Sequence, residues 1–399
     1  MLVFEFKLKV NSIQKQSISE AIRTSQFIRN SCLRYWMDGN KEDHLNRFAL
    51  NKYTKVLADD PNFPWAKKLN SMARQAAAER TWFAISRFFD NCKKGIKGKK
   101  GYPRFKKNSR SVEYKTTGWS LSDDRKYLTM TDKFCIGRMK LIGSRDLHFY
   151  DPKLIKRVRL IKRADGFYAQ FCIDVERNES QIVTGNKIGI DVGLNHFYTD
   201  SNAQKVDNPR YLRKSLFLLK KRQKQLSKKK KGSNNRRKAI NRLARLHLKV
   251  QWQRKDFVVK TARTLCVSND TIVLENLNVH GLVKNHNLAL SISDASWSLF
   301  REWLEYFGLI FNREIIAVEP KYTSQTCSNC GQIVKKSLST RTHQCSCGAT
   351  LCRDHNAALN ILAKGTGGQP ETSPLYGVNA SGQMTLWLDL ETSVTKVAG

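Results

Sequence analysis

Two cysteine pairs, Cys327-x2-Cys330 and Cys345-x-Cys347, fall within 21 residues of a 399-residue chain. The first residues, "MLVFEFKLKV", alternate apolar and polar and read as a strand, not as an export signal. A reducing compartment is therefore expected, where clustered cysteines are metal ligands before they are disulfide partners. Four thiolates in two pairs predict a zinc ribbon, a closed structural Zn2+ site whose metal supplies folding energy and no catalysis. The second pair is one residue short of the usual spacing, so His343 or Cys352 could supply the fourth ligand instead. The other five cysteines (Cys32, Cys92, Cys135, Cys172, Cys266) are scattered singly and read as core thiols. Just past the ribbon, "RDHNAALNILAKG" reads as a helix ended by Gly365. The ribbon is thus an insertion ahead of the last helix of a larger core.

Charge says what that core handles. Lys and Arg number 71 and Asp and Glu 34, a formal net charge of +37. Such an imbalance calls for a polyanionic partner, nucleic acid before membrane, because no apolar run approaches ~18 residues. Residues 93–110 carry nine basic side chains and no acid among glycines and a proline, the texture of a phosphate-contacting loop or a linker. Residues 210–263 hold 21 Lys or Arg against one acid, Asp256, on a partly helical apolar pattern broken at "KKKKGSNNRRK". This predicts a long helical hairpin with an apolar seam and a cationic face, since a merely soluble helix would mix signs. Candidate contacts in these stretches are Arg104, Lys106, Lys228, Lys229, Arg236, Arg237, Arg242 and Arg245.

Periodicity divides the rest. Ile18, Ile22, Ile28, Cys32 and Trp36 fall near helical spacing, and further helical patterns cover about 43–57 and 64–92, the last with Trp82, Phe83, Phe88 and Phe89 on what reads as a core face. From 111 to 176 short alternating strands predict a small barrel that residues 2–10 would complete, with the helices inserted. A new domain begins near 186. "DASWSLFREWLEYFG" reads as one helix capped by Asp294, and the Gly/Ser/Thr-rich tail from 366 as flexible.

Three acids sit in unusual places. Asp191 ends the apolar strand "IGID", Glu275 ends "TIVLE", and Asp354 opens the last helix. Singly, Asp354 could be a helix N-terminal acid worth under ~1 kcal/mol, and Glu275 could pair with a lysine. Together, two strand ends and a helix start can converge and hold two Mg2+ ions ~4 Å apart for in-line phosphodiester cleavage.

In this order, "GYPRFK", "GIDVGLNHF", the basic hairpin, "VLENLNV", "LALSISDASW", "KYTSQTCSNCG" and "RDHNAALNI" resemble the TnpB family, transposon-encoded RNA-guided DNA endonucleases related to the type V CRISPR effectors. The resemblance spans roughly residues 1–365. It implies a multidomain α+β chain. Residues 1–10 would give the first strand of a wedge-type β-barrel, 11–100 a helical recognition domain and 101–180 the rest of the barrel. Residues 181–321 would be an RNase H-like RuvC nuclease carrying the basic hairpin at 205–265. The zinc ribbon, 322–350, would be the target nucleic-acid-binding module, 351–365 the last RuvC helix and 366–399 the tail. Asp191, Glu275 and Asp354 would be the Mg2+-binding acids, and Gln75 would read a short transposon-adjacent motif. The implied partners are a guide RNA from the transposon end and double-stranded target DNA, read by base pairing. The protein would be a monomer in its RNA complex, cytoplasmic in a prokaryote and nucleoid-associated on DNA. One departure is Cys352-Arg353-Asp354, where the family commonly has Asp-Arg-Asp. The alternatives are a catalytically idle RNA-guided DNA-binding regulator and a guide-independent RuvC-like nuclease. No tyrosine with paired histidines speaks for transposition chemistry.

Overall fold

The structure, a computed structural model, describes residues 1–40, 45–337 and 340–367; almost all of the tail expected to be flexible lies outside them. The chain divides into two compact units, Met1–Glu176 and Arg177–Gly399.

The first unit opens with β1 (Leu2–Lys9) and continues through α1 (Ser12–Asp38), α2 (Arg47–Asp59) and α3 (Ser71–Lys93). Each helix starts on an asparagine whose side chain accepts a backbone N–H: Asn11, Asn46 and Asn70. Six strands follow: β2 (Ser111–Tyr114), β3 (Trp119–Leu121), β4 (Tyr127–Met130), β5 (Gly137–Ile142), β6 (Ile155–Arg163) and β7 (Gly166–Ile173). They form one seven-stranded sheet in the order β2-β6-β7-β1-β5-β4-β3. β1 pairs antiparallel with both β7 and β5, so the three helices interrupt a sheet already begun. The ladder runs from β2 to β3 and does not close between them among the described residues.

Two expectations fail here. α3 buries Ala73, Ala76, Ala77 and Ala78, small residues that let it approach its neighbours closely, together with Glu79, Thr81 and Ile85. Trp82 does pack against the core, but Phe83 and Phe89 stand 45% and 46% exposed. Of the single cysteines, Cys32, Cys172 and Cys266 are buried, but Cys92 is half-buried and Cys135 exposed, on a left-handed turn residue with φ +56°.

Beside the apolar core that helices and sheet share, a buried ion-pair network joins them. Glu113 on β2 is buried and meets Arg80 of α3 at 2.9 Å and Arg157 and Arg159 of β6 at 2.6 Å each. Glu79 of α3, also buried, meets Arg157 at 2.9 Å and Lys115 at 3.4 Å, and pairs with Arg47 of α2. Burial alone would raise the Glu113 carboxyl; the guanidinium groups of Arg80, Arg159 and Arg157 outweigh it and hold it well below the usual range. Removing the anion leaves buried cations facing each other. Glu113→Ala is expected to destabilise this unit by roughly 3–5 kcal/mol. Thermal unfolding checks this, and a loss below about 1 kcal/mol would contradict a network role.

The second unit is built on β8 (Lys187–Val192), β9 (His196–Asp200) and β10 (Lys205–Asp207). Then come α4 (Tyr211–Ser227), α5 (Asn234–Ser268), β11 (Thr271–Glu275), α6 (Val279–Leu282), α7 (His286–Ala295), α8 (Trp297–Phe311) and β12 (Glu314–Val318). A small hairpin, β13 (Thr342–Gln344) and β14 (Thr350–Cys352), precedes α9 (Arg353–Thr366). The sheet order is β10-β9-β8-β11-β12, with β8, β9 and β10 antiparallel and β8, β11 and β12 parallel. Ile188, Ile190, Ile272 and Leu274 share a core with Val258, Ala262 and Leu265 of α5 and Phe300, Leu304, Phe307 and Phe311 of α8. Val273, Val318 and Ile361 of α9 form a second core. The sheet is therefore covered on both faces, which its short apolar strands require.

Two helix boundaries differ from expectation. The segment read as one helix from Asp294 is two, broken at Ser296 (φ +59°). Asp294 caps a different helix: its carboxylate accepts from Leu212 N at 2.8 Å and Arg213 N at 3.0 Å, at the start of α4. Nor does Gly365 end α9, which runs on to Thr366. A Cβ on Gly365 would lie 2.5 and 2.7 Å from the Val273 methyls, so this glycine is needed for close packing. Among the described residues no helix is long and apolar enough to cross a membrane.

Candidate functional site

Strand alternation decides where the acids point. Ile188 and Ile190 face the α5/α8 core, so Gly189 and Asp191 face the other side of the sheet. Ile272 and Leu274 face that same core, so Val273 and Glu275 also face away from it, towards α9. Ile190 pairs with Leu274 in the parallel ladder, which puts Asp191 and Glu275 side by side at the strand ends. α9 then delivers Asp354 in its first turn. It lies so close to β8 that a Cβ on Gly189 would run into the Ala358 carbonyl and sit 2.8 Å from Leu362 N and Cβ. Only glycine admits the helix at that depth. All three acids are half-buried.

Further residues of the two last motifs hold the site, and spacing had given them no role. Thr323 Oγ1 donates to Glu275 Oε1 at 2.6 Å. Asn360 Nδ2 donates to the carbonyls of Thr323 (2.8 Å) and Thr326 (2.7 Å), and Asn356 Nδ2 to Thr326 O (2.7 Å). Asn356 Oδ1 accepts from Ser328 N at 3.0 Å. Arg353 donates to Asp354 Oδ1 from Nε at 3.1 Å and from Nη2 at 3.0 Å. The available signal was two amides four residues apart on a helix face otherwise made of Ala357, Ala358 and Ile361.

At Asp191 and Glu275, burial outweighs the nearby positive charge. Burial pushes the Asp191 carboxyl well above its ordinary range, Glu275 and Asp354 push further, and Arg353 offsets part. Burial also raises Glu275, against the Thr323 hydroxyl and Lys364. A carboxyl raised on folding holds its proton more tightly in the folded state. Its penalty therefore appears as pH rises above the unfolded value of about 4 and is complete above the folded value. In magnesium-free buffer near neutral pH, Asp191→Asn is expected to melt a few degrees above the wild type, at roughly 2–4 °C per kcal/mol. The advantage should vanish near pH 4. Calorimetry showing no gain at neutral pH would refute this burial and charge penalty at Asp191.

The cysteines form a separate centre. Cys327 and Cys347 Sγ lie 3.7 Å apart, Cys330 and Cys345 Sγ 3.5 Å, and all four within 4.8 Å of one another. Tetrahedral zinc with Zn–S near 2.3 Å needs S···S of about 3.8 Å, so the set fits that ion. Among the described residues this is the only group of three or more such side chains close enough to share one ion. The short second pair works because Cys345 N donates to Ala349 O and Gly348 turns with φ +89°. Gly331, φ +77°, does the same after Cys330. His343 and Cys352 fall outside the group: His343 is buried against Lys336, and Cys352 pairs with Thr342 and precedes α9.

The cationic candidates are described unit by unit. In the first, Gln75 is half-buried on α3, Arg104 exposed and Lys106 half-buried. The loop carrying them is pinned to α1, where Asn30 Oδ1 accepts from Lys106 N at 2.9 Å and Asn30 Nδ2 donates to Lys106 O at 2.9 Å. In the second, α4 and α5 are joined by a short turn, and Ser233 caps α5. Lys228, Lys229, Arg237, Arg242 and Arg245 are exposed. Arg236 has a structural use, donating to Leu226 O (3.2 Å) and Lys229 O (3.1 Å) to close the hairpin. The apolar seam is shorter than its pattern suggests: Leu219, Leu226 and Val250 are buried, but Ile240 is 48% exposed.

Two family models match the chain. One, described as "Probable transposase" (OrfB_IS605), covers residues 170–286, and one described as "Cas12f1-like, TNB domain" covers 297–361. A Streptomyces pristinaespiralis protein named "Putative RNA-guided DNA endonuclease" is 32% identical over 303 residues, 75% of this chain and 72% of that one. InsQ of Escherichia coli (strain K12), named in the same words, is 25% identical over 391 residues, 91% and 92% of the two chains. Among solved structures, a chain of a Cas12f1–sgRNA–target DNA complex aligns with 15% identity and a TM-score of 0.49, covering 90% of this chain and 82% of that one.

Proposed function

Because this chain belongs to the TnpB family of RNA-guided DNA endonucleases, we propose that Asp191, Glu275 and Asp354 are the carboxylates with which it cuts DNA. The observation that carries this is their convergence on the α9 side of the sheet, two from adjacent strand ends and one from the helix start. Three half-buried hard-oxygen donors with raised proton affinity at Asp191 and Glu275 are a set that Mg2+ suits. When bound, the ions supply an activated water and charge stabilisation at the leaving oxygen. The chain's own part is to fix the donors: Gly189 sets the depth of α9, Thr323 orients Glu275 and Arg353 orients Asp354. Zn2+ held by Cys327, Cys330, Cys345 and Cys347 has a purely structural role, since four protein ligands leave no open position.

The order of three antiparallel strands followed by two parallel ones supports an RNase H-like RuvC domain in the second unit. The first unit is read as a wedge domain on the sheet with recognition helices inserted after β1. The guide is a transposon-end RNA, the target double-stranded DNA beside a short motif contacted by Gln75, and the complex contains one copy of the chain. The test uses the protein with its co-purified RNA: cleavage of matched DNA in Mg2+ is lost on RNase treatment and restored by adding the RNA back. Cleavage that survives RNA removal would favour a guide-independent nuclease. Guide-dependent binding without cleavage in any divalent metal would favour an idle regulator.

The basic hairpin is the main phosphate-binding surface in this reading. Each phosphate that goes unneutralised flattens the log–log salt dependence of RNA binding by roughly 0.7–0.9. The quadruple variant K228A/K229A/R237A/R242A is thus expected to reduce the slope by about 3 units. A slope equal to the wild type's would move the RNA-binding surface elsewhere.

A further inference from the structure

The ribbon and the nuclease carboxylates are wired together at both ends of the insertion. At its entry, Thr323 is 3% exposed, and its hydroxyl holds Glu275 by Oε1 at 2.6 Å. Its backbone is clamped in turn by Asn360 of α9, at 2.8 Å. Five residues on, Ser328 lies inside the first cysteine knuckle, and its N–H donates to the fully buried Asn356 of the same helix at 3.0 Å. At the exit, Arg353 N donates to Arg341 O at 2.7 Å, and its Nη1 to Thr340 O at 3.3 Å. The same guanidinium holds Asp354, with both bonds falling on Oδ1. Among the described residues Glu275 Oε2 and Asp354 Oδ2 accept no hydrogen bond.

We infer that the ribbon is the outer coordination shell of the nuclease site. Thr323 and Arg353 are positioning residues that tether Glu275 and Asp354 by one oxygen each and present the other oxygen to the divalent metal. The inference rests on the reading of these acids as metal ligands. A partner that fixes the orientation of a ligating carboxylate sets how much order metal binding must still create, and losing it typically weakens the metal by about 10–100-fold. The zinc fold would thereby set the magnesium affinity of a site to which it contributes no ligand.

The experiment measures Mn2+ binding to the full-length protein–RNA complex by EPR. The D191A complex is subtracted, so that ions on the RNA cancel. T323V and R353A are each expected to bind the subtracted Mn2+ about 10–100-fold more weakly than wild type. The Mg2+ concentration for half-maximal cleavage should rise by the same factor while guide RNA is retained. T323S keeps the hydroxyl and should bind as wild type, which a loss of packing alone would not explain. Wild-type Mn2+ affinity in T323V and R353A overturns the inference, as does T323S behaving like T323V. If D191A itself cleaves, the carboxylate assignment fails instead, so the two failures are told apart.

Discussion

Replacing Asp191 with alanine is expected to lower target cleavage by at least about a thousandfold, a barrier increase of roughly 4 kcal/mol, with guide RNA retained and target still bound. The size follows from what the side chain does. Asp191 stands beside Glu275 at the end of the ladder and is the acid on which the other two act electrostatically. If the three acids hold two Mg2+ ions as proposed, the remaining pair would no longer keep them in register, and the attacking and leaving oxygens would lose their stabilisation together. Glu275→Gln and Asp354→Asn should fall to a similar floor. The double variant should fall little further, because groups that act as a unit are not additive. Single-turnover cleavage at saturating Mg2+ measures this. Residual cleavage within about tenfold of wild type would mean that the cutting centre lies elsewhere.

Stripping zinc is the second large effect expected. Between Tyr322 and Cys352 the buried side chains among the described residues are Thr323, Cys327 and His343, far too little apolar surface to fold that segment alone. Its cohesion would come from the proposed zinc on four thiolates, and apparent binding energies for such structural sites run to about 10–16 kcal/mol. Cys330→Ser, or a zinc-selective chelator, should therefore release the ribbon as a unit. Asn356 and Asn360 then lose their carbonyl partners, at about 1–3 kcal/mol for each buried amide left unsatisfied. Hydrogen exchange should rise across the ribbon and the first turns of α9 while β8 and β11 stay protected. Cleavage should track zinc content. A zinc-free protein that cuts at the wild-type rate would show the ribbon to be dispensable.

Much of this site is legible in the order of its residues. "IGID" and "TIVLE" read as strands, so each acid had to share a face with every second residue, and that face proved to be the one under α9. The cysteine spacing pointed to the ribbon, and the near absence of acids to a cationic hairpin. Other features rest on partners distant in sequence, which periodicity does not encode. Asp294 sits where a local N-cap belongs, yet it serves a helix start more than eighty residues upstream. Gly365 carries the signature of a helix stop, but Val273 makes it a packing residue. Thr323, Asn356 and Asn360 are ordinary polar residues until the loop they hold is seen against Glu275. Phe83 and Phe89 fit a helical apolar pattern, but alanines supply the face that their helix buries.

The central place of β1 in the first sheet bears on how the protein is made. Leu2 pairs with Ile173 and Lys7 with Ile142, so the first strand leaves the ribosome long before either neighbour exists. At about 5–20 residues per second the wait is roughly 10–30 s. Throughout it, a half-apolar strand with two unpaired edges is tethered to helices that can already form locally. Nascent chains in that window are the ones most exposed to strand-mediated aggregation, and chaperone demand should peak before residue 173 is synthesised.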